Sequence, residues 1–305
     1  MPEPIDTDFW SQAAAGYPKK LPKRRVDRRD KCTPDGACVA HRTTKGGKCF
    51  AFLSVFKWEP RKGWDVLLEA FLREFDARQD FVCLYIKTSH FHSEGDFRDA
   101  ITTFARDRLG IGPDAWKAQA PTIEVLAETI PHEDMPRLYK SVDAVVIPSR
   151  GEGWGRPHVE AMAMELPLIA TNWSGPTAYM TEHNSYPLRI DHLETIKDGP
   201  WRGHRWAQPS VAHLRELLRR VYSDPEAAKE TGRAARRDIV AQYSTGPVTA
   251  LVLRRLEAIR SKLKRRHEQR ALQASFSEES SAAAEAAEME RELGNGDGDL
   301  GLGEL

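Results

Sequence analysis

The stretch PSRGEGWGRPHVEAMAMELPLIAT (148–171) decides the fold. It begins at the end of DAVVIPS (143–149), a short apolar run that stops at a proline and reads as a buried strand. Gly151, Gly153 and Gly155 follow, and glycine lets a backbone approach another group with no Cβ in the way. Pro157 suits the first turn of a helix, and residues 156–165 carry the helical period. LPLIAT (166–171) is again an apolar run of strand length. Strand, glycine-rich turn, helix and strand follow one another, the alternation of a parallel sheet with helices on its faces.

The alternation continues outward. FAFLSVF (50–56), FVCLYIK (81–87) and TIEVLAE (122–128) are strand-like. WDVLLEAFLREF (64–75) places Trp64, Leu67, Leu68, Phe71, Leu72 and Phe75 on one helical face. Residues 96–108, 133–141 and 175–182 read as further helices, and 210–222 with 225–242 as a closing helical pair. The expected fold class is α/β, a Rossmann-like parallel sheet over residues 49–245. Residues 1–48 have no strand or helical period and read as a linker or extended arm. Eight basic residues lie between Lys19 and Lys31; they suit a polyanion-binding segment or a solvated linker, and Asp27 and Asp30 dilute them toward the latter. Residues 246–305 lose the strand signal: 248–292 suits one long helix, basic near 260–270 and acidic from 278, before a tail expected to be disordered. Asp297 and Asp299 resemble a metal-binding pair, but with no strand before them in a Gly-rich tail they are not read as one.

Composition narrows the function. Lys and Arg (45) balance Asp and Glu (45), which disfavours a dedicated nucleic-acid binder. No apolar run is long enough to span a bilayer, and MPEPIDTDFW has no leader pattern, so a cytoplasmic location is expected, with peripheral membrane contact left open. The cysteines at 32, 38, 49 and 83 match no zinc spacing and form no CxxC. They read as free thiols in a reducing compartment, with a bridge among the first three as the alternative.

Ligands of a doubly wound sheet bind at the carboxyl ends of its strands. Three segments fall there. FKWEPRKG (56–63) carries Lys57, Arg61 and Lys62 beside Gly63, cations that suit a diphosphate at a helix start or simply a charged turn. Glu152 on the glycine-rich loop and Glu160 in the helix after it stand eight apart, and a carboxylate that accepts two hydrogen bonds suits a vicinal diol. Glu160 could equally pair with a neighbouring cation. ATNWSGPTAY (170–179) could close the pocket, and His90 and His92 could face it or belong to the surface.

GEGWGRPHVEAMAMELPLIAT resembles the signature loop, helix and strand of group 1 glycosyltransferases, whose spaced glutamates fall on Glu152 and Glu160. VFKWEPRKGWDVLLEAF resembles their phosphate-binding unit, whose Arg and Lys pair falls on Lys57 and Lys62. HEDMPRLYKSVDAVVIPS (132–149) and the helices introduced by Trp206 and Pro209 are similar as well, and PIDTDFW (4–10) resembles the interdomain linker.

The resemblance implies the C-terminal half of a GT-B fold, with a C-terminal helical extension and an N-terminal acceptor domain missing or carried on a separate chain. It implies a UDP- or GDP-linked sugar donor, no metal or other cofactor, and transfer of a hexosyl group with retention. Glu152 would contact the donor sugar, and Lys57 and Lys62 would neutralise the departing diphosphate. Glu160 would hold the ribose, while Gly153 and the backbone N–H groups of Trp154, Gly155 and Arg156 would meet phosphate or sugar. A non-catalytic nucleotide-sugar-binding module is the alternative. The chain departs from the family pattern at Phe56, Lys57, Ser174 and Ala178, where many members carry glycine, arginine, glycine and glutamate.

Overall fold

A computed structural model describes residues 2–15, 49–199 and 201–294. Six strands form one parallel sheet: β1 (Phe50–Val55), β2 (Val82–Lys87), β3 (Thr122–Leu126), β4 (Ala144–Ile147), β5 (Leu168–Thr171) and β6 (Tyr186–Leu188). Their order in the sheet is β3-β2-β1-β4-β5-β6. The chain therefore runs outward from β1 to β3, returns to β4 beside β1, and proceeds the other way. The crevice between β1 and β4 is the switch point where such sheets take ligands.

Both faces of the sheet are covered. Phe50 and Phe52 of β1 point to one face, where α2 (Trp64–Glu74), α3 (Phe97–Leu109) and α7 (Val211–Ser223) supply Leu67, Phe71, Ile101, Leu214 and Leu218. Ala51 and Leu53 point to the other face, as the two-residue period of a strand requires. There they meet residues of α1 (Thr7–Ala15), α5 (Met135–Lys140), α6 (Arg156–Ala163) and α8 (Pro225–Tyr243), including Trp10, Tyr139, Met162 and Ile239.

The structure differs from the sequence reading in five places. Residues 7–15, expected within an extended arm, form α1, anchored because Ile5 and Trp10 are buried and the Ile5 N–H donates to the Tyr243 carbonyl at 2.9 Å. The helix expected over 175–182 is a single 3-10 turn at Gly175–Ala178. Residues 190–209 form an antiparallel hairpin of β7 (Ile190–Thr195) and β8 (Arg205–Pro209), and α4 (Pro113–Gln119) precedes β3. Cys49 and Cys83, expected as free thiols, are joined by a disulfide with their Cα atoms 5.8 Å apart. Pairing of β1 with β2 in the register Phe50↔Val82 brings the two together. Cys32 and Cys38, the basic run 19–31 and the tail with Asp297 and Asp299 lie outside the described residues.

The described residues up to Val248 form one compact unit and those from Thr249 to Gly294 a second. The helix α9 (Thr245–Gly294) has Val248 buried in its first turn. Beyond it, Leu251, Leu253, Leu256, Ile259 and Leu263 are exposed. Among the described residues, no helix is long and apolar enough to cross a membrane.

Candidate donor site at the β1/β4 crevice

Two turns leave the sheet on either side of the switch point, and they are pressed together. The turn after β1 ends at Gly63, with φ 67°, and a Cβ there would lie 2.0 Å from the Pro148 carbonyl oxygen. The Arg150 N–H donates to the Arg61 carbonyl at 2.7 Å. The Arg150 guanidinium, almost wholly buried, donates to Asp65 through two nitrogens at 2.8 and 2.7 Å and to the Pro60 carbonyl at 2.6 Å. It also meets the Gln208 side-chain oxygen at 3.0 Å and lies over the Trp206 ring, so β8 is drawn into the same clamp.

The clamp brings Lys62 and Arg61 to Glu152. Lys62 Nζ donates to the two carboxylate oxygens at 2.8 and 3.0 Å, and Arg61 donates to one of them at 3.1 Å. Burial alone would raise the Glu152 pKa, but Lys62, with His158 and Arg61 adding smaller effects, outweighs it and holds the carboxyl below its ordinary value. The third sequence segment braces this loop from the opposite side. The Glu152 N–H donates to Ser174 Oγ at 3.0 Å, and the Gly175 N–H donates to the Glu152 carbonyl at 3.0 Å.

The second glutamate sits deeper. Glu160, in α6, is 9% exposed and accepts from the Tyr139 hydroxyl at 2.9 Å through Oε2. Its other oxygen, Oε1, stands 3.9 Å from Arg156. Burial raises its pKa, with Tyr139 and Arg156 opposing. Gly155, at φ 90°, caps α6, and a Cβ there would meet His158 Nδ1 at 2.6 Å and the Tyr179 hydroxyl at 2.9 Å. Gly153 has open space where a Cβ would be. Trp154 is anchored by its ring against Tyr179 and Tyr243, and its carbonyl accepts from Tyr179. The backbone N–H groups of Gly153 through Arg156 donate to no backbone carbonyl among the described residues, as is usual where a helix starts.

A cavity of about 450 Å³ opens beside this cluster, lined among others by Lys57, Glu59, Arg61, Lys62, Lys87, Thr88, Phe91 and Pro157. The sequence-paired lysines are thus treated differently: Lys62 is bonded to Glu152, while Lys57 Nζ lies 5.0 Å from the centre of the Phe91 ring. His90 stacks on Phe97 and His92 lies against Phe91; Phe91, not either histidine, lines the cavity. Phe56, where glycine is common, is buried against Trp58. The sequence reading missed Arg150, Tyr139, Tyr179 and Lys87 as parts of this region.

Residues 47–193 match the profile of the group 1 glycosyltransferases. Curated relatives include D-inositol 3-phosphate glycosyltransferase of Segniliparus rotundus, 25% identical over 179 residues, covering 58% of this chain and 33% of the relative. O-antigen chain mannosyltransferase B of Escherichia coli is 31% identical over 80 residues, covering 24% of this chain and 21% of the relative. Among solved structures, a glycosyltransferase from Rickettsia africae aligns with TM-score 0.56 at 17% identity, covering 84% of this chain and 56% of that one. The C-terminal domain of the group 1 glycosyltransferase LpcC from Francisella tularensis aligns with TM-score 0.51 at 17% identity, over 79% of this chain and 99% of that domain. HepE of Anabaena, solved in complex with UDP and glucose, aligns with TM-score 0.52 at 16% identity, over 70% of this chain and 49% of that one.

The fold is that of a GT-B half, a Rossmann-like sheet flanked by helices. Residues 47–193 are thus similar to the group 1 glycosyltransferases. The chain spans about a third of the length of the first of these curated relatives.

Proposed function

We propose that residues 49–245 bind a nucleoside diphosphate sugar, UDP- or GDP-linked, and serve a retaining hexosyltransferase that completes its site with a second α/β domain for the acceptor. The observation that carries this reading is the cationic cavity at the switch point, beside two glutamates set on one loop and helix. HepE, of the same fold, binds UDP and glucose.

In this reading Glu160 Oε1, the oxygen that Tyr139 leaves available, accepts from the ribose hydroxyls. Glu152, held by Lys62 and Arg61, meets hydroxyls of the donor sugar. The bond between the anomeric carbon and the diphosphate oxygen breaks, its electron pair leaves with the diphosphate, and the acceptor oxygen bonds to the same face of the sugar. The acceptor proton passes to the departing phosphate oxygen. Cations and helix-start N–H groups placed at the developing charge stabilise that step most.

A non-catalytic binding module is the second reading, favoured by Ala178 at a position where many members carry glutamate. The cytoplasm, or its membrane surface, is the compartment we infer for either.

Calorimetric titration of UDP, GDP and their sugars, followed by hydrolysis and transfer assays, tests these readings. A charge-assisted hydrogen bond contributes about 1.5–3 kcal/mol, so Glu160→Ala should weaken donor binding roughly tenfold to a hundredfold. Binding without turnover, even with the acceptor domain supplied, would select the module. No nucleotide binding at millimolar concentration, unchanged in Glu160→Ala, would reject both.

A further inference from the structure

The four cations of the cavity are not equivalent. Arg61 is bonded to Glu59 at 2.7 Å and to Glu152, and Lys62 spends its ammonium on Glu152. Lys57 and Lys87 differ. Among the described residues neither pairs with a carboxylate: Lys57 faces the Phe91 ring, and Lys87 reaches only the Thr88 carbonyl, at 3.4 Å. Lys87 stands at the carboxyl end of β2, directly across from Val55 of β1, and partial burial lowers its pKa. An ammonium taken out of water with no anion beside it is destabilised until an anion arrives.

The next residue gives an independent observation. Thr88 is 1% exposed, lines the same cavity, and its hydroxyl has no hydrogen-bond partner. Buried hydroxyls nearly always have partners; the Thr88 hydroxyl is itself shut off from solvent, so it reaches an acceptor in the cavity by turning about its χ1 bond. Two ammonium groups without a carboxylate partner line this space, and one unpaired hydroxyl adjoins it. Their charge matches the diphosphate of a nucleotide sugar, which carries about one negative charge per phosphate.

We propose that Lys87 and the Thr88 hydroxyl join Lys57 and Lys62 in binding the diphosphate. The proposal rests on the donor-site reading above and adds two side chains at the end of β2 to those that meet the leaving group. Lys87 lies one strand beyond the β1 turn that carries the Lys57/Lys62 pair, so the phosphates reach over the end of β2.

The full chain, titrated calorimetrically with UDP, GDP and inorganic pyrophosphate, tests it. Lys87→Met should weaken diphosphate binding tenfold or more, as loss of a charge-assisted contact does, and make the affinity less sensitive to salt. Lys87→Arg should stay within a few fold of the unaltered chain. Thr88→Val, nearly the same in volume, should lose severalfold in affinity, and Thr88→Ser should restore it. Melting curves for each variant separate binding loss from unfolding. Folded Lys87→Met and Thr88→Val proteins that bind UDP and GDP like the unaltered chain would overturn the proposal and leave the donor reading standing. An unaltered chain that ignores both nucleotides overturns the two together. Pyrophosphate binding that Lys87→Met abolishes, without nucleotide binding, would keep the anion subsite and remove the nucleotide reading alone.

Discussion

Arg150 and Asp65, 85 residues apart in sequence, form a two-point ion pair at 2.8 and 2.7 Å that fastens the signature loop to the first turn of α2. Asp65 gains twice, since an acid in a first helical turn also meets the positive end of the helix dipole. Arg150 is 7% exposed at its side chain and Asp65 34%, so the pair is shielded on the arginine side. Arg150→Met should destabilise the chain by about 2–4 kcal/mol, because it strands Asp65, the Pro60 carbonyl and the Gln208 side chain at once. Arg150→Lys keeps the charge but loses the planar fork, and should cost about half as much. Denaturant midpoints measure both; an unchanged midpoint in Arg150→Met would remove the clamp from the account of the site.

Glycines around the loop should separate into structural and ligand-facing kinds. Gly63 combines φ 67° with an approach of 2.0 Å to the Pro148 oxygen. Gly63→Ala should therefore cost more than about 2 kcal/mol, since the left-handed region alone costs about 1–2 kcal/mol and the two turns must also move apart. Gly153 meets nothing within 4 Å. Gly153→Ala should leave stability within about 0.5 kcal/mol, as surface substitutions do, while weakening donor binding. Thermal melts and titrations of both variants check the contrast, and a Gly153→Ala protein that unfolds like Gly63→Ala would contradict it.

The contrast also explains what could be read in advance. The β4–loop–α6–β5 unit was legible because its signals are local: an apolar run, a helix-start proline, and Glu152 and Glu160 eight apart. The parallel sheet followed from repetition of the same signal. Arg150 was not legible as a clamp, because its partners come from 85 and 58 residues away. The hairpin of β7 and β8 hid for a different reason: Ile190–Thr195 lies on the surface, and its burial does not alternate with the two-residue period. Helix α1 is too short for its period to stand out, and Trp10 becomes informative once Tyr139 is seen against it. The shorter element at Gly175–Ala178 traces to Gly175, whose missing Cβ leaves room for the Gly153 carbonyl and holds the turn against the loop.

His158 should make stability depend on pH. It is 1% exposed, neither ring nitrogen makes a well-formed hydrogen bond, and burial lowers its pKa to about 4, against Glu152 and the nearby Gly155 backbone, which raise it, and with Lys62, which lowers it further. In the unfolded chain the imidazole takes a proton near its ordinary value of about 6.5. Between these values the unfolded state binds more protons than the native one. Stability is therefore full above pH 6.5 and falls as pH drops toward 4, by about 3 kcal/mol in all. Glu152, held below its ordinary value, adds a contribution that is lost as pH falls below the ordinary carboxylate range. Unfolding free energies of the unaltered chain and His158→Gln between pH 7 and 4 should differ in slope over that window. Parallel curves would show that His158 does not titrate as its burial requires.

The disulfide lies at the other end of the strands from the cavity. Cys49 precedes β1 and Cys83 is the second residue of β2, whereas Lys57 and Lys87 stand at the carboxyl ends. The bond closes a loop with a sequence separation of 34. Loop-closure entropy alone then stabilises the fold by roughly 3–4 kcal/mol relative to the reduced chain. Reduction should lower the melting temperature and release two thiols that were silent before it. Cys49→Ser should reproduce the lower melting temperature, and adding reductant to that variant should lower it no further. Donor affinity measured well below the melting temperature should remain that of the oxidised chain, because the β1/β2 register is also held by backbone pairing from Phe50↔Val82 to Val55↔Lys87. Melting curves that coincide with and without reductant, and a thiol count that does not change, would restore the reading of these two cysteines as free.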